Sequence, residues 1–210
     1  MHNHFSTIAS KYQSVRTLDI NPIVHITNKL AQKEKIRMHQ SKIAHFLKQE
    51  NADILCLQEA REGISTSLNY PYQSINGFNH IYSKYEIINS GEILFKENST
   101  NQSYFADMLV HYDTIRIYNL HLESLHLGNE DYALLKEWDD DSKEDEFKNK
   151  TQKISKKINK ATSIRVNQVE TIIESINDSP YPTLLCGDFN DVPQSYIYRR
   201  LKDNHKDAFL

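Results

Sequence analysis

Three apolar segments of this sequence end in side chains that could bind a metal ion or a phosphate. These groups are Gln58-Glu59, Asn119-x-His121-x-Glu123 and Asp188-x-Asn190. Carboxylate and amide oxygens suit Mg²⁺, which usually takes one or two protein carboxylates and leaves its other positions to water and phosphate. The set therefore predicts metal-assisted hydrolysis of a phosphoester.

Each group also has an ordinary structural interpretation when it is taken singly. A glutamate after a strand is commonly a solvated edge residue, and a G-D-F-N segment is commonly a turn. A lone histidine is commonly a core or surface residue with its hydrogen bonds satisfied. Their succession along the chain favours a site. Zinc is disfavoured as its metal, because the sequence holds no H-E-x-x-H and no paired C-x-x-C motif.

The glycine content and the net charge exclude several other classes of function. Only five glycines occur, and no two of them are close together. The sequence thus has neither the G-x-G-x-x-G loop of dinucleotide-binding enzymes nor a P-loop. A formal charge of −3 gives no overall polycation for coating nucleic acid. Any anion binding must be local, through a metal or side chains.

Apolar patterns predict the elements that position these groups. Ile36, Ile43, Phe46 and Leu47 at helical spacing predict an amphipathic helix over ~34–50. Strands are predicted at 53–59, 79–83, 92–95, 104–112, 114–123 and from Thr183. Period-two alternation places one set of residues on a single face of the 115–123 segment: Ile115, Ile117, Asn119, His121 and Glu123.

The remaining sequence predicts one domain, 1–210, with a charged insertion at about 129–160. The insertion is acidic and then lysine-rich, and we interpret it as solvated, with contact of its lysines to a phosphate backbone as the alternative. An apolar stripe of Ile154, Ile158, Ala161, Val169, Ile172 and Ile176 predicts a long helix that continues to Asn177.

Cysteine usage and the N-terminal sequence bear on the compartment. Cys56 and Cys186 each lie in an apolar run, which favours packing over a disulfide. The first ten residues lack the pattern of a secretory signal, and no apolar stretch is long enough to span a bilayer. We therefore expect a soluble, cytoplasmic protein, monomeric and without an obligate protein partner.

The segments ADILCLQEA, YNLHLES and LLCGDFNDVP, in this order, resemble the endonuclease/exonuclease/phosphatase superfamily. The resemblance spans roughly residues 15–209. It implies the α/β fold of deoxyribonuclease I, a four-layer α/β/β/α sandwich with a metal site at one end of two facing sheets, here without its last strands. It also implies a Mg²⁺-dependent hydrolase, for which Mn²⁺ could replace Mg²⁺.

The resemblance assigns roles to individual residues. Glu59 would be the principal metal ligand, and His121 would contact the scissile phosphate. Asp188 would orient or activate the attacking water, and Asn190 would donate a hydrogen bond to a phosphate oxygen. The family also has a metal-site asparagine at the end of its first strand, for which Asn21 is the only match, with a turn before Pro22 as the alternative.

One part of the family pattern is absent from this sequence. The family carries a further strand and an Asp-His pair several tens of residues after G-D-F-N, whereas twenty residues follow Asn190. His205 has the wrong spacing and no preceding apolar strand, so we reject it as that histidine. Arg199-Arg200 could touch phosphate or simply end a solvated helix.

These observations leave two classes of function open. The first is a phosphoester hydrolase, preferably a phosphodiesterase or nuclease, with sphingomyelin-like lipids or inositol phosphates as alternative substrates. The second is a truncated, catalytically silent remnant of such an enzyme. Mg²⁺-dependent turnover that is lost in Glu59 and His121 variants distinguishes the two.

Overall fold

The computed structural model describes residues 15–19, 42–60, 68–96, 99, 101–128, 144–203 and 205–207, with the backbone alone for 15–19 and 144–150. The strands are β1 Val15–Asp19, β2 Ile54–Gln58, β3 Tyr72–Asn76, β4 Asn79–Ser83, β5 Glu86–Ile93, β6 Ser103–Val110, β7 Asp113–His121 and β8 Thr183–Asp188. The helices are α1 at 42–50, α2 Glu144–Asn177 and α3 Tyr196–Lys202.

The strands form two four-stranded sheets. The first sheet has the order β1-β2-β4-β3, with β1 and β2 parallel and the other pairs antiparallel. The second sheet has the order β5-β6-β7-β8, in which only the β7–β8 pair is parallel. Parallel neighbours need a long connection, and the connection from β7 to β8 contains α2.

The two sheets lie face to face around an apolar core. Strand β2 lies against β7 and β8, and alternate residues from both sheets fill the space between them. The core residues are Ile54, Cys56, Ile81, Tyr104, Ala106, Met108, Val110, Ile115, Ile117 and Cys186. On the other face of the first sheet, Leu55, Leu57 and Tyr82 pack with Leu47 of α1. Helix, sheet and sheet are thus three of the predicted layers.

The chain divides into two compact units. The first unit contains both sheets and the end of α2, where the Tyr118 hydroxyl donates to the Ser175 carbonyl at 2.8 Å. The second unit contains 95–101, 122–174 and 189–210, hence most of α2 and all of α3. In it, Arg200 of α3 donates two hydrogen bonds to Glu170 of α2, each 3.0 Å long.

Most of the predicted elements are confirmed. Strands β2, β4, β7 and β8 lie where the apolar patterns place them, and α2 ends at Asn177 as expected. Strand β5 begins earlier than the predicted 92–95 segment, and β3 was not predicted. The part of the charged insertion from 144 onward is helical, whereas 129–143 lies outside the described residues.

Both cysteines are free and buried in the core between the sheets, as the apolar runs predict. A hydrogen bond with the Cys186 thiol and burial raise the pKa of the Cys56 thiol well above its ordinary value. Within the described part of the chain, every helix is too short or too polar to cross a membrane.

Candidate active site

The ends of β2, β7 and β8 bring three of the predicted site residues into the same unit. Strands β7 and β8 are parallel, and their register pairs His121 with Asp188 at the last position of each. Glu59 follows the last residue of β2, the strand that faces them. Groups at such strand ends are held by the sheet and remain open to substrate.

Glu59 and His121 lie close enough to act on one ligand. The Glu59 Oε1 and His121 Nε2 atoms are 3.8 Å apart, and the Glu59 side chain is 38% exposed against 7% for His121. Solvent and ligands can therefore reach the carboxylate, while the imidazole is sheltered. The Glu59 backbone has a left-handed φ of +53°, a conformation that costs a non-glycine residue roughly 1–2 kcal/mol.

His121 is fixed by its position at the end of the second sheet. The antiparallel register of β6 with β7 stops at the Tyr104–Asn119 pair, so His121 lies beyond it. Its backbone N–H instead donates to the Ser103 hydroxyl at 3.1 Å. This bond satisfies a buried donor that would otherwise be unpaired. The backbone that carries the imidazole is thus anchored on both sides, by Ser103 and by β8.

Asp188 owes its position to the glycine before it. Gly187 has a φ of +140°, and a β-carbon added there would lie 1.9 Å from the Leu120 carbonyl oxygen. Only glycine lets β8 approach β7 so closely at this point. The glycine of the G-D-F-N segment is therefore required by the backbone contact that places Asp188 beside His121.

Asn190 lies in the second unit, just after the end of β8. Its left-handed φ of +49° is one that asparagine tolerates. Its amide Nδ2 donates to the Leu122 carbonyl at 2.8 Å, and the Asn101 amide donates to the same carbonyl at 2.5 Å. The orientation of the Asn190 side chain is thus set by the segment that follows β7.

A buried polar network surrounds Glu123 in the second unit. The Glu123 carboxylate accepts from the Ser99 hydroxyl at 2.6 Å and contacts His126 Nε2 at 3.0 Å. Arg165, 3% exposed on α2, donates to the Glu123 carbonyl at 2.9 Å and pairs with Asp191 at 3.3 Å. Arg165 therefore joins the segment after β7 to the segment after β8.

Sequence reasoning missed Arg165, which lies just after the lysine-rich segment that we interpreted as solvated. One signal was available: Arg165 follows Ala161 of the apolar stripe by four residues, and this spacing puts both residues on the same, buried side of α2. Ile158, by contrast, belongs to the predicted stripe and is 40% exposed.

Three further residues were candidates from the sequence: Asn21, His205 and Arg200. Asn21 lies outside the described residues. His205 Nδ1 contacts the Leu201 carbonyl at 3.1 Å at the end of α3, and burial lowers the pKa of its imidazole. The hydrogen bonds of Arg200 to Glu170 raise its pKa and hold its guanidinium on α2.

The donor groups fit a hard cation held by few protein ligands. Among the residues described, no three His, Cys, Asp or Glu side chains converge as a complete metal cage. Mg²⁺ does not need one, since it keeps several waters and binds through one or two carboxylates together with substrate phosphate. The accessible Glu59 carboxylate has that character, and Asp188 lies at the same end of the sheets.

No protein-family model and no curated protein sequence matches this chain. Solved structures do match it. It is similar to sphingomyelinase C from Streptomyces griseocarneus, with 16% identity, a TM-score of 0.54, and coverage of 83% of this chain and 63% of that one. It is also similar to humanized TDP2 from D. rerio, with 13% identity, a TM-score of 0.53, and coverage of 89% and 64%.

A third similar structure is a beta toxin variant from Staphylococcus aureus with bound magnesium ions, at 17% identity and a TM-score of 0.50. That match covers 79% of this chain and 62% of the toxin. All three proteins share one fold. This chain has the deoxyribonuclease I-like fold. The fold predicted from the three sequence segments is thereby confirmed, and the chain spans just under two thirds of the length of each of these structures.

Proposed function

We propose that this chain is a metal-dependent phosphoester hydrolase that acts on phosphodiesters. The observation that carries the proposal is the approach of the Glu59 carboxylate to the His121 imidazole, 3.8 Å apart, at the strand ends that also carry Asp188. The fold supports it, because one similar structure is named a sphingomyelinase C and another holds magnesium. Neither is close enough in sequence to transfer its substrate.

Glu59 would hold the metal, with Asn21 as a second ligand implied by the family resemblance. A bound Mg²⁺ would neutralise charge on the phosphate. The exposure of the Glu59 side chain leaves room for water and a substrate oxygen beside it. Glu59 has a left-handed backbone and stands between the end of β2 and Ala60. The Ala60 N–H donates to the Phe78 carbonyl at 2.7 Å, so the backbone is held on both sides of Glu59.

The remaining residues would act on the phosphate and on the attacking water. His121, sheltered and anchored, would donate a hydrogen bond to a phosphate oxygen or assist the leaving group. Asp188 at the adjacent strand end would orient the attacking water. Asn190 would bind a phosphate oxygen, with its amide oriented by the Leu122 carbonyl. These are the groups that phosphodiester hydrolysis needs: a positioned nucleophile and charge neutralisation.

The test is turnover of bis(4-nitrophenyl) phosphate by the purified full chain, with Mg²⁺ and with EDTA. We expect Mg²⁺-dependent turnover that EDTA abolishes and that Glu59→Gln lowers by at least about 100-fold. The matched control is Glu92→Gln, which neutralises an exposed carboxylate on β5 and should leave the rate unchanged. Absence of turnover with either Mg²⁺ or Mn²⁺ would instead support the catalytically silent chain.

The salt dependence of binding separates the substrate classes. A nucleic acid would release counterions on binding, so its affinity would fall steeply as salt rises. A lipid head group or an inositol phosphate would bind with a much flatter salt response. The net charge of −3 means that a steep response would require a local basic groove.

A further inference from the structure

Asn119 lies between the two sheets, where its side chain joins β7 to the first sheet. It is fully buried, on the same face of β7 as the core residues Ile115 and Ile117. Its amide Nδ2 donates to the Leu57 carbonyl at 3.1 Å and to the His80 carbonyl at 3.2 Å. Its Oδ1 accepts from Gln58 Nε2 at 2.5 Å. The sequence suggested Asn119 as a ligand, and the structure instead turns it inward.

Two of the three partners of Asn119 immediately precede Glu59 in the chain. Leu57 and Gln58 are the last two residues of β2, and His80 is the residue that pairs with Leu57 on β4. On the far side of Glu59, the Ala60 N–H donates to the Phe78 carbonyl. Glu59 therefore has a left-handed backbone that is held on one side by the hydrogen bonds of Asn119 and on the other by the bond from Ala60 to Phe78. A conformation of this cost persists where the surroundings fix it, and such residues concentrate at functional sites.

The same residue stands close to His121. Asn119 and His121 are two residues apart on β7, a distance of about 6.6 Å along the strand, and the two-residue period of a strand puts both side chains on one face. Asn119 thus links the strand that carries Glu59 directly to the strand that carries His121.

We propose that Asn119 is a positioning residue that sets the separation of Glu59 and His121 by holding the end of β2 against β7. This inference rests on the proposed function, since the separation matters for turnover only if both groups act on one phosphate. Residues that orient metal ligands typically change metal affinity or activity by about 10–100-fold when they are replaced. A misplacement of about 1 Å at a reacting centre can have an effect of the same size.

The test compares Asn119→Ala with Tyr118→Phe in the full chain. Tyr118→Phe removes the hydroxyl that bonds Ser175, from the neighbouring residue on the opposite face of β7. We expect Asn119→Ala to lower kcat on bis(4-nitrophenyl) phosphate by about 10–100-fold, with KM changed less, while Tyr118→Phe stays within about threefold of wild type. If Asn119→Ala does not fold, Asn119→Ser retains one donor and should show an intermediate loss of kcat.

A second measurement is independent of turnover. Crystal structures of wild type and Asn119→Ala, or of Asn119→Ser, show whether the Glu59–His121 separation and the left-handed backbone of Glu59 change. We expect both to change in the variant. If both are unchanged, or if kcat falls no more than in Tyr118→Phe, the inference is wrong. If wild type shows no turnover, the proposed function fails, and the crystallographic comparison still decides the role of Asn119.

Discussion

Strand β7 carries a polar cluster on each half, and the two clusters differ in how completely they are satisfied. Near its start, Arg116 donates to both oxygens of Asp107, at 2.7 and 2.9 Å, and Asn89 donates to the same carboxylate at 2.9 Å. The guanidinium also lies 3.8 Å above the Phe105 ring. Hydrogen bonding to Asp107 raises the Arg116 pKa, so the guanidinium stays charged.

Near the end of β7, the Asn119 cluster is less complete. The Gln58 Oε1 atom is buried without a hydrogen-bond partner, and Glu59 has a left-handed backbone. Unsatisfied and strained groups destabilise a fold, and they concentrate at functional sites. We infer that the Arg116 cluster stabilises the fold, whereas the unsatisfied and left-handed groups near Asn119 and His121 fit the proposed site.

The largest expected effect comes from breaking the satisfied cluster. Asp107→Ala would leave Arg116 buried and unpaired, and we expect the free energy of unfolding to fall by about 3–5 kcal/mol. Urea denaturation measures it. Asp113→Ala, at an exposed carboxylate at the start of the neighbouring strand β7, should change stability by less than about 0.5 kcal/mol. Turnover per folded molecule should stay near wild type, and a large fall in kcat would contradict the separation of roles.

Replacing His121 should have the opposite profile. His121→Gln removes the proposed proton donor, and we expect kcat to fall by about 100-fold, equivalent to about 2.7 kcal/mol. Stability should change much less than in Asp107→Ala. The control is His45→Gln, at an exposed position of α1. If His121→Gln keeps a third or more of the wild-type rate, His121 has no part in the chemistry.

Gly187→Ala should affect both properties. The new β-carbon would collide with the Leu120 carbonyl, so the end of β8 must move. We expect a loss of about 2–3 kcal/mol in stability and at least a tenfold fall in kcat, because Asp188 moves with it. Gly91→Ala is the comparison, since its β-carbon would lie nearest the far end of the Phe105 ring, at 2.8 Å, rather than against backbone atoms. Equal losses from the two variants would count against this reason for the glycine.

The smallest effect concerns the pH dependence of stability near the Asn119 cluster. His80 is 3% exposed, and burial lowers its pKa below the ordinary value of 6.5. Below about pH 6.5 the unfolded chain binds more protons at this residue than the folded chain. The free energy of unfolding should therefore fall as the pH drops from about 6.5 through the folded pKa.

His80→Gln tests this assignment in urea denaturations at a series of pH values. The variant should flatten the pH dependence between pH 7 and 5, whereas His45→Gln should not. An unchanged slope in His80→Gln would place the titration elsewhere.

The sequence predicted those elements whose burial leaves a regular pattern. Strands β2 and β8 begin as continuous apolar runs, and in β7 Ile115 and Ile117 stand at alternate positions before the polar end of the strand. Strand β3 was missed because it is an edge strand with a mostly exposed, polar sequence. Strand β5 was misplaced because it is also an edge strand, and a register shift between Ile87 and Asn89 breaks its alternation.

The candidate site was predictable only in part for a related reason. Glu59, His121 and Asp188 stand at strand ends, where a change from apolar to polar residues is visible in the sequence. The roles of Asn119 and Arg165 depend on partners 39 to 62 and 26 to 42 residues away, which no local pattern encodes. The left-handed backbone of Glu59 likewise follows from contacts on both sides of it.

The proposed site requires a cation to bind at Glu59, beside His121. Paramagnetic Mn²⁺ added to the full chain broadens the NMR signals of nearby protons, so the imidazole resonances of the ten histidines report where it binds. We predict that the His121 resonances broaden at the lowest Mn²⁺ concentrations, that excess Mg²⁺ reverses the effect, and that Glu59→Gln abolishes it. Broadening that spares His121, or that persists unchanged in Glu59→Gln, would contradict the account.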